Sequence, residues 1–373
     1  MIRIVVILAL VSSAIAPAEA VGTEFSRSTM SCSSTNKVGG SGQLYSIAAE
    51  GSSNAWAVGF DGLPQQVLTL AEHWDGRSWT QVPTPNRPSP PYLGNALGGV
   101  AIVPGTDQAI AVGTTEGADD GISFAIPLIE QWNGQQWVIR KSEGRGDLFS
   151  VAAISATDAW AVGDEYKYMG QKTLPLAFHW NGSTWARIDF TLPPGTTSAF
   201  FNSVAAAAPD DVWAVGAVVS PNGAFPLIEH FDGTTWSVVT IPKSAAGELY
   251  AVTDVPGTRD FWAAGAQFEG SDSWPVTYRR LGGAWNAVRT PRSIGTYVNS
   301  LAADSPNDVL AAGEDYNSPF LMRWNGRTWA IVSVTLPKDY SGVFTAVAVI
   351  PATTLFWLAG TNNDGPPLIE LCR

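Results

Sequence analysis

The chain has 373 residues, and 21 basic against 33 acidic side chains leave a formal charge of −12. That balance argues against a nucleic-acid partner, because phosphate binding needs a basic face. Charged residues make up 14%, well under the roughly 25% of an average soluble domain, while 37 Gly, 25 Pro and 16 Trp describe a turn-rich β protein rather than a helical one.

In chain order, Arg3, the apolar run over residues 4–11 and Ala18-Glu19-Ala20 read as a signal peptide over residues 1–20, cleaved near Ala20. The apolar run is too short to span a bilayer, which needs about 20 residues. No later stretch is long and apolar enough, so no membrane span is expected. The mature chain, residues 21–373, is expected outside the cytosol, secreted or periplasmic, where disulfides persist. It contains two cysteines, Cys32 and Cys372.

An internal repeat occupies nearly all of the mature chain. The phrase Ala55-Trp56-Ala57-Val58-Gly59 returns in related form ending at Gly113, Gly163, Gly216, Gly265, Gly313 and Gly360. A second phrase, Trp74-Asp75-Gly76-Arg77-Ser78-Trp79, follows each of the first six. In the fifth copy Arg280 takes the outer aromatic place. An alternating apolar run, such as Ser150-Val151-Ala152-Ala153, precedes each glycine phrase. Each unit therefore reads as four short strands. Strand a is the alternating run and strand b the glycine phrase. Strand c ends at the first aromatic, and strand d opens at the second Trp after an Asn-Gly or Asp-Gly turn. Seven such units predict an all-β, seven-bladed β-propeller of four-stranded antiparallel blades over residues 44–372, forming a single domain. The repeat places 15 of the 16 tryptophans, which predicts that they fill the space between blades.

The seventh unit has strands a, b and c, and then the chain ends at Arg373. Residues 23–33 are expected to pair beside residues 367–372 as the missing strand d, because an open edge invites aggregation. Cys32 and Cys372 would then face each other and form a disulfide.

Trp-Ala-Val-Gly, a loop and then Trp-Asn-Gly-x-x-Trp resembles the kelch repeat of galactose-oxidase-type propellers. It is most similar to the degenerate kelch-like units of bacterial secreted proteins. The Asp-Gly-x-x-Trp turn also resembles part of the Asp-box of sialidase-type propellers, a second choice because the leading Ser and spacing differ.

Galactose-oxidase-like chemistry implies copper-binding histidines at the axis. His73, His179 and His230 instead hold one repeat position in three different blades, so they read as structural, and no metal or cofactor is expected. The recurring Glu72, Glu130, Glu229 and Glu370 read as sheet-surface contacts. A sialidase-like site implies clustered arginines, but Arg279 and Arg280 are adjacent on a strand and point to opposite faces. No catalytic residue can be named. A ligand site is expected in the variable b–c loops, where Asp164, Tyr166, Tyr168, Trp274, Asp315, Tyr316 and Asn317 gather. Aromatic rings with carboxylates and amides suit a glycan or a protein ligand. The first expectation is a secreted, monomeric, non-catalytic binding scaffold. The alternative is a carbohydrate-active enzyme, a glycoside hydrolase or lyase, with its site on that loop face.

Overall fold

The computed structural model of the chain describes residues 28–34, 42–63, 66–88, 92–119, 122–166, 173–191, 193–241, 245–336, 340–363 and 365–373. The expected signal peptide and residues 23–27 of the expected closing strand lie outside these. Every regular element described is a β-strand.

Blade one shows how the repeat folds. Strand a is Gln43–Ala49, strand b Ala55–Leu63, strand c Gln66–Trp74 and strand d Trp79–Gln81, each antiparallel to the next. The same meander recurs over residues 92–139, 147–188, 198–238, 247–288 and 296–334, and residues 344–372 supply three strands of a seventh blade. The described residues thus form a seven-bladed β-propeller. A single parallel pair, Val67 with Gly94, also ties blade one to blade two.

Two local devices repeat with the fold. At the c–d hairpin, the Asp75 carboxylate accepts hydrogen bonds from the backbone N–H groups of Arg77 and Ser78, and Gly76 between them takes a φ of 94°. Asn133, Asn181, Asp232 and Asn325 make the same turn, which suits Asx side chains and a glycine at positive φ. The second device is a β-bulge near the start of every strand a, for example between Leu44 and Ser46 and between Leu148 and Ser150. The bulge lays a strand-a carbonyl directly on the strand-b glycine. A Cβ at Gly59 would run into the Gln43 carbonyl, and one at Gly163 into that of Asp147. The glycine of the repeat is therefore set by close backbone approach.

The repeat phrase of strand b is apolar because both faces of a blade are covered by neighbours; Ala55, Trp56, Ala57 and Val58 are all fully buried. The strand-b Trp of one blade packs into the next. Trp56 meets Trp132 and Trp137 of blade two at 5.1 and 4.9 Å. Trp160 meets Phe231 and Trp236 of blade four, and Trp262 meets Trp324 and Trp329 of blade six. Trp357 of blade seven meets Trp74 and Trp79 of blade one. Between blades four and five, Trp213 meets Trp285 and takes the Arg280 guanidinium 4.9 Å over its ring, so the arginine replaces the missing aromatic by a cation–π contact. Ile110 and Leu310 stand in for Trp at the other two joints, between blades two and three and between blades six and seven.

Near the axis a second set of bonds joins blades. Ser46 Oγ accepts the N–H of Val100, Ser150 that of Val204, Ser203 that of Val252 and Ser300 that of Val347. The Thr345 hydroxyl donates to the Leu44 carbonyl, linking blade seven to blade one. Blades two, five and seven carry Gly99, Ala251 and Ala346 at the serine position.

The ring closes where expected, but the closing segment is divided. Among the described residues, Cys32–Ser34 pairs antiparallel with Leu368–Cys372 as strand d of blade seven. Ser28–Met30 runs parallel to Val332, Ser333 and Val334 on the outer edge of blade six. The expectation of one strand over residues 23–33 is corrected accordingly. Met30 is buried with Leu310, Val332 and Phe356, so the segment straps two blades rather than one. Cys32 lies opposite Cys372, and the two form a disulfide with Cα atoms 4.1 Å apart.

Two outcomes check this architecture. Reducing the disulfide, which spans a sequence separation of 340 residues, is expected to lower unfolding stability by up to about 5 kcal/mol; identical denaturation midpoints for oxidised and reduced protein would contradict closure by this bond. Trp262→Ala is expected to cost about 3–5 kcal/mol in the same assay, and a cost near zero would remove the tryptophan from the joint.

Candidate functional site

Most of the residues expected in b–c loops lie instead on strands. Asp164 and Tyr166 belong to Asp158–Tyr166, Trp274 to Asp272–Leu281, and Asp315 ends Asp308–Asp315. Strands b and c keep pairing beyond the repeat glycine, so the variable residues extend a hairpin. Tyr168 and the Tyr166 side chain lie outside the described residues.

Tyr316 and Asn317 form the turn itself, with φ of 46° and 61°. Two positive φ values make the hairpin turn that matches strand twist. Asn suits it, but a Tyr there costs on the order of 1 kcal/mol. The Tyr316 ring lies against Gly295, where a Cβ would collide with it, and its N–H donates to the Gly295 carbonyl. The ring remains 69% exposed.

The connection from blade five to blade six gathers the other candidates around this ring. The Arg292 guanidinium sits 4.4 Å over the Trp274 ring and 3.9 Å from Glu269. The Ser293 hydroxyl donates to the Asp315 carboxylate at 2.6 Å. Gly295 N–H donates to the Ser273 carbonyl, and Ile294 is 40% exposed. The structure therefore brings Trp274, Asp315, Tyr316 and Asn317 together on one rim. Arg292, Ser293 and Ile294 escape a reading of the repeat because they sit in a connection that shares no phrase with the other blades.

Asp164 is apart from this rim, in blade three. It pairs across the strands with Asp147, and its Oδ1 is buried without a hydrogen-bond partner. Burial first, and then the Asp147 charge, push its carboxyl up to about 7.

The three histidines are each committed within their own blade. His73, His179 and His230 bond to Asn54, Asp158 and Asp211, and each ring lies against the strand-b Trp at 4.1–4.4 Å. The recurring glutamates are not on a sheet surface. Glu72, Glu130, Glu229 and Glu370 are 0–4% exposed, because neighbouring blades cover both faces of the sheet, and small strand-b residues such as Ala57 and Ala111 sit opposite Glu72 and Glu130. Burial pushes Glu72 and Glu229 up to about 7 and Glu130 up to about 8.

Neither the family models nor the curated proteins give a match. Among solved structures, YCF48 bound to a D1 peptide is similar, with a TM-score of 0.55 and 13% identity over 92% of this chain and 94% of that one. At that identity the likeness shows a shared fold.

The buried glutamates give a pH test. The native pKa values of Glu72, Glu130 and Glu229 lie above the ordinary carboxylate value near 4.3, so between the two values the native state holds more protons than the unfolded state. Their contribution to stability is greatest in acid and falls as pH rises towards about 8. Glu130→Gln is expected to raise the melting temperature more at pH 8 than at pH 5. An equal change at both would contradict a carboxyl that is neutral in the fold.

Proposed function

We propose that the chain is a non-catalytic binding scaffold that takes a segment of another protein on the rim of blades five and six. The observation that carries this reading is an exposed Tyr316 held in a positive-φ turn beside the stacked Arg292–Trp274 pair and Ile294. Local strain of that kind concentrates at functional positions, and Trp, Tyr and Arg dominate the energetics of protein interfaces. A similar fold, YCF48, has been solved with a peptide bound. Asp315 and Asn317 supply acceptors and donors beside the rings, and Asp164, Tyr166 and Tyr168 extend the same reading to blade three.

The repeat is of the kelch-like kind in this proposal, on the strand-b glycine, strand-c aromatic and strand-d Trp. The mature protein is exported and monomeric, with residues 1–20 as its signal peptide; the Cys32–Cys372 bond is in keeping with an oxidising compartment.

Selection of displayed peptides against the folded protein, with counter-selection on Trp274→Ala and Tyr316→Ala, tests the reading. Selected peptides should lose about tenfold or more in affinity for either variant, as expected of interface anchors, while the melting temperature stays unchanged. A panel of oligosaccharides run in parallel, with product release measured, separates the other classes. Turnover of a sugar, or glycan binding with no rim-dependent peptide, would overturn it.

A further inference from the structure

The bulges of strand a do more than seat the repeat glycines. Each adds one residue to its strand, Tyr45, Phe149, Asn202, Tyr250 and Asn299 among them, and the added residue of every blade lines the axial cavity of about 120 Å³. Bulges re-aim side chains out of the regular alternation and are frequent beside functional sites. The added position changes chemistry from blade to blade, being aromatic, amide, Thr or Gly, while the position after it is Ser, Ala or Gly in every blade.

The cavity wall has hydrogen-bonding capacity that the fold leaves unused. Ser46, Ser150, Ser203 and Ser300 line it, and each accepts a backbone N–H of the next blade. Among the described residues none of these four hydroxyls donates to a protein group. Asn202 and Asn299 each give one amide hydrogen to the next blade, to the carbonyls of Leu249 and Phe344. The second hydrogen and the amide oxygen of each have no protein partner among the described residues. The lining contains no charged side chain. An ion would therefore lose its hydration there without a countercharge. An apolar molecule would leave hydroxyls and amides unpaired. A neutral molecule carrying several hydroxyls meets both demands, because each hydroxyl both donates and accepts.

The geometry points to a second binding site: the axial cavity takes a small neutral polyol, held by the amides of Asn202 and Asn299 and the hydroxyls of the serine ring. The cavity volume equals that of about four waters in the liquid, which suits a molecule the size of glycerol. One such molecule replaces several ordered waters and reproduces their hydrogen bonds, so their release favours binding. The aromatic residues Phe149 and Tyr250 in the lining give the carbon skeleton an apolar wall, the usual complement to a few placed polar groups. The lining shares no residue with the rim of Trp274, Arg292 and Tyr316, so the site stands independently of what the rim binds.

Saturation-transfer NMR of the ligand, titrated into the full folded chain, tests it with glycerol as the probe. Propanol, the same carbon chain with a single hydroxyl, is the control. Saturable binding of glycerol is expected, with propanol weaker by about tenfold or more, as for a site built to bond hydroxyls. Asn202→Leu and Asn299→Leu keep the side-chain size and remove the amide. Each should weaken glycerol about tenfold, the scale of one buried hydrogen bond lost. Ser237→Ala, on the exposed outer strand of blade four, should leave binding unchanged. Equal binding of the two compounds, binding of neither, or full retention of glycerol in both Leu variants would overturn the site. Should a Leu variant fail to fold, the comparison of the two compounds on the unaltered protein still decides.

Discussion

A propeller blade has two apolar faces, and nothing within the blade can cover either of them. Here the cover is supplied by one contact repeated around the ring: the strand-b tryptophan of one blade inserted between the strand-c aromatic and strand-d tryptophan of the next. The offset and edge-on arrangements seen are those that ring quadrupoles favour. Because each joint needs the following blade, stability depends on completing the circle. That is why the join between the last blade and the first matters. Trp357 reaches Trp74 and Trp79 there, while blade seven, which lacks its own strand d, is finished by Cys32–Ser34 and fixed by the disulfide.

This demand explains the residues that depart from the pattern. Where Leu310 replaces Trp between blades six and seven, Met30 from the amino-terminal strap fills the joint. Where strand c lacks an aromatic in blade five, Arg280 lies over Trp213. The buried glutamates are a different departure. They occupy joint positions where Phe178, Tyr278 and Met322 stand in other blades, and burial pushes the carboxyls of Glu72, Glu130 and Glu229 towards the neutral form.

The blade number, the strand order, the tryptophan positions and the cysteine pairing were legible in the sequence because each is a periodic or arithmetic property of the repeat. The histidines, copies of one strand-c position in three blades, each bond within their own blade. The glutamates were misread. Their recurrence from blade to blade suggested a sheet-surface contact, and only the packing of blades shows that neighbours cover both broad faces of the sheet. The b–c hairpins were misread as loops because polar residues conceal continued pairing. Ser46, Ser150, Ser203 and Ser300 recur visibly at one position, yet their bonds run to the next blade, which periodicity within a blade does not reveal. The rim of Trp274, Arg292 and Tyr316 depends on positions that differ among blades, and a repeat-based reading averages such positions away.

If the joints hold the ring, neighbouring tryptophans must be energetically coupled across blades and distant ones must not. A double-mutant cycle measures this directly, using unfolding free energies of Trp262→Ala, Trp329→Ala and the pair. The account requires a coupling of about 0.5–1.5 kcal/mol for this contacting pair, against additivity for Trp262 with Trp137, which belong to different joints. Strict additivity for Trp262 with Trp329 would contradict it.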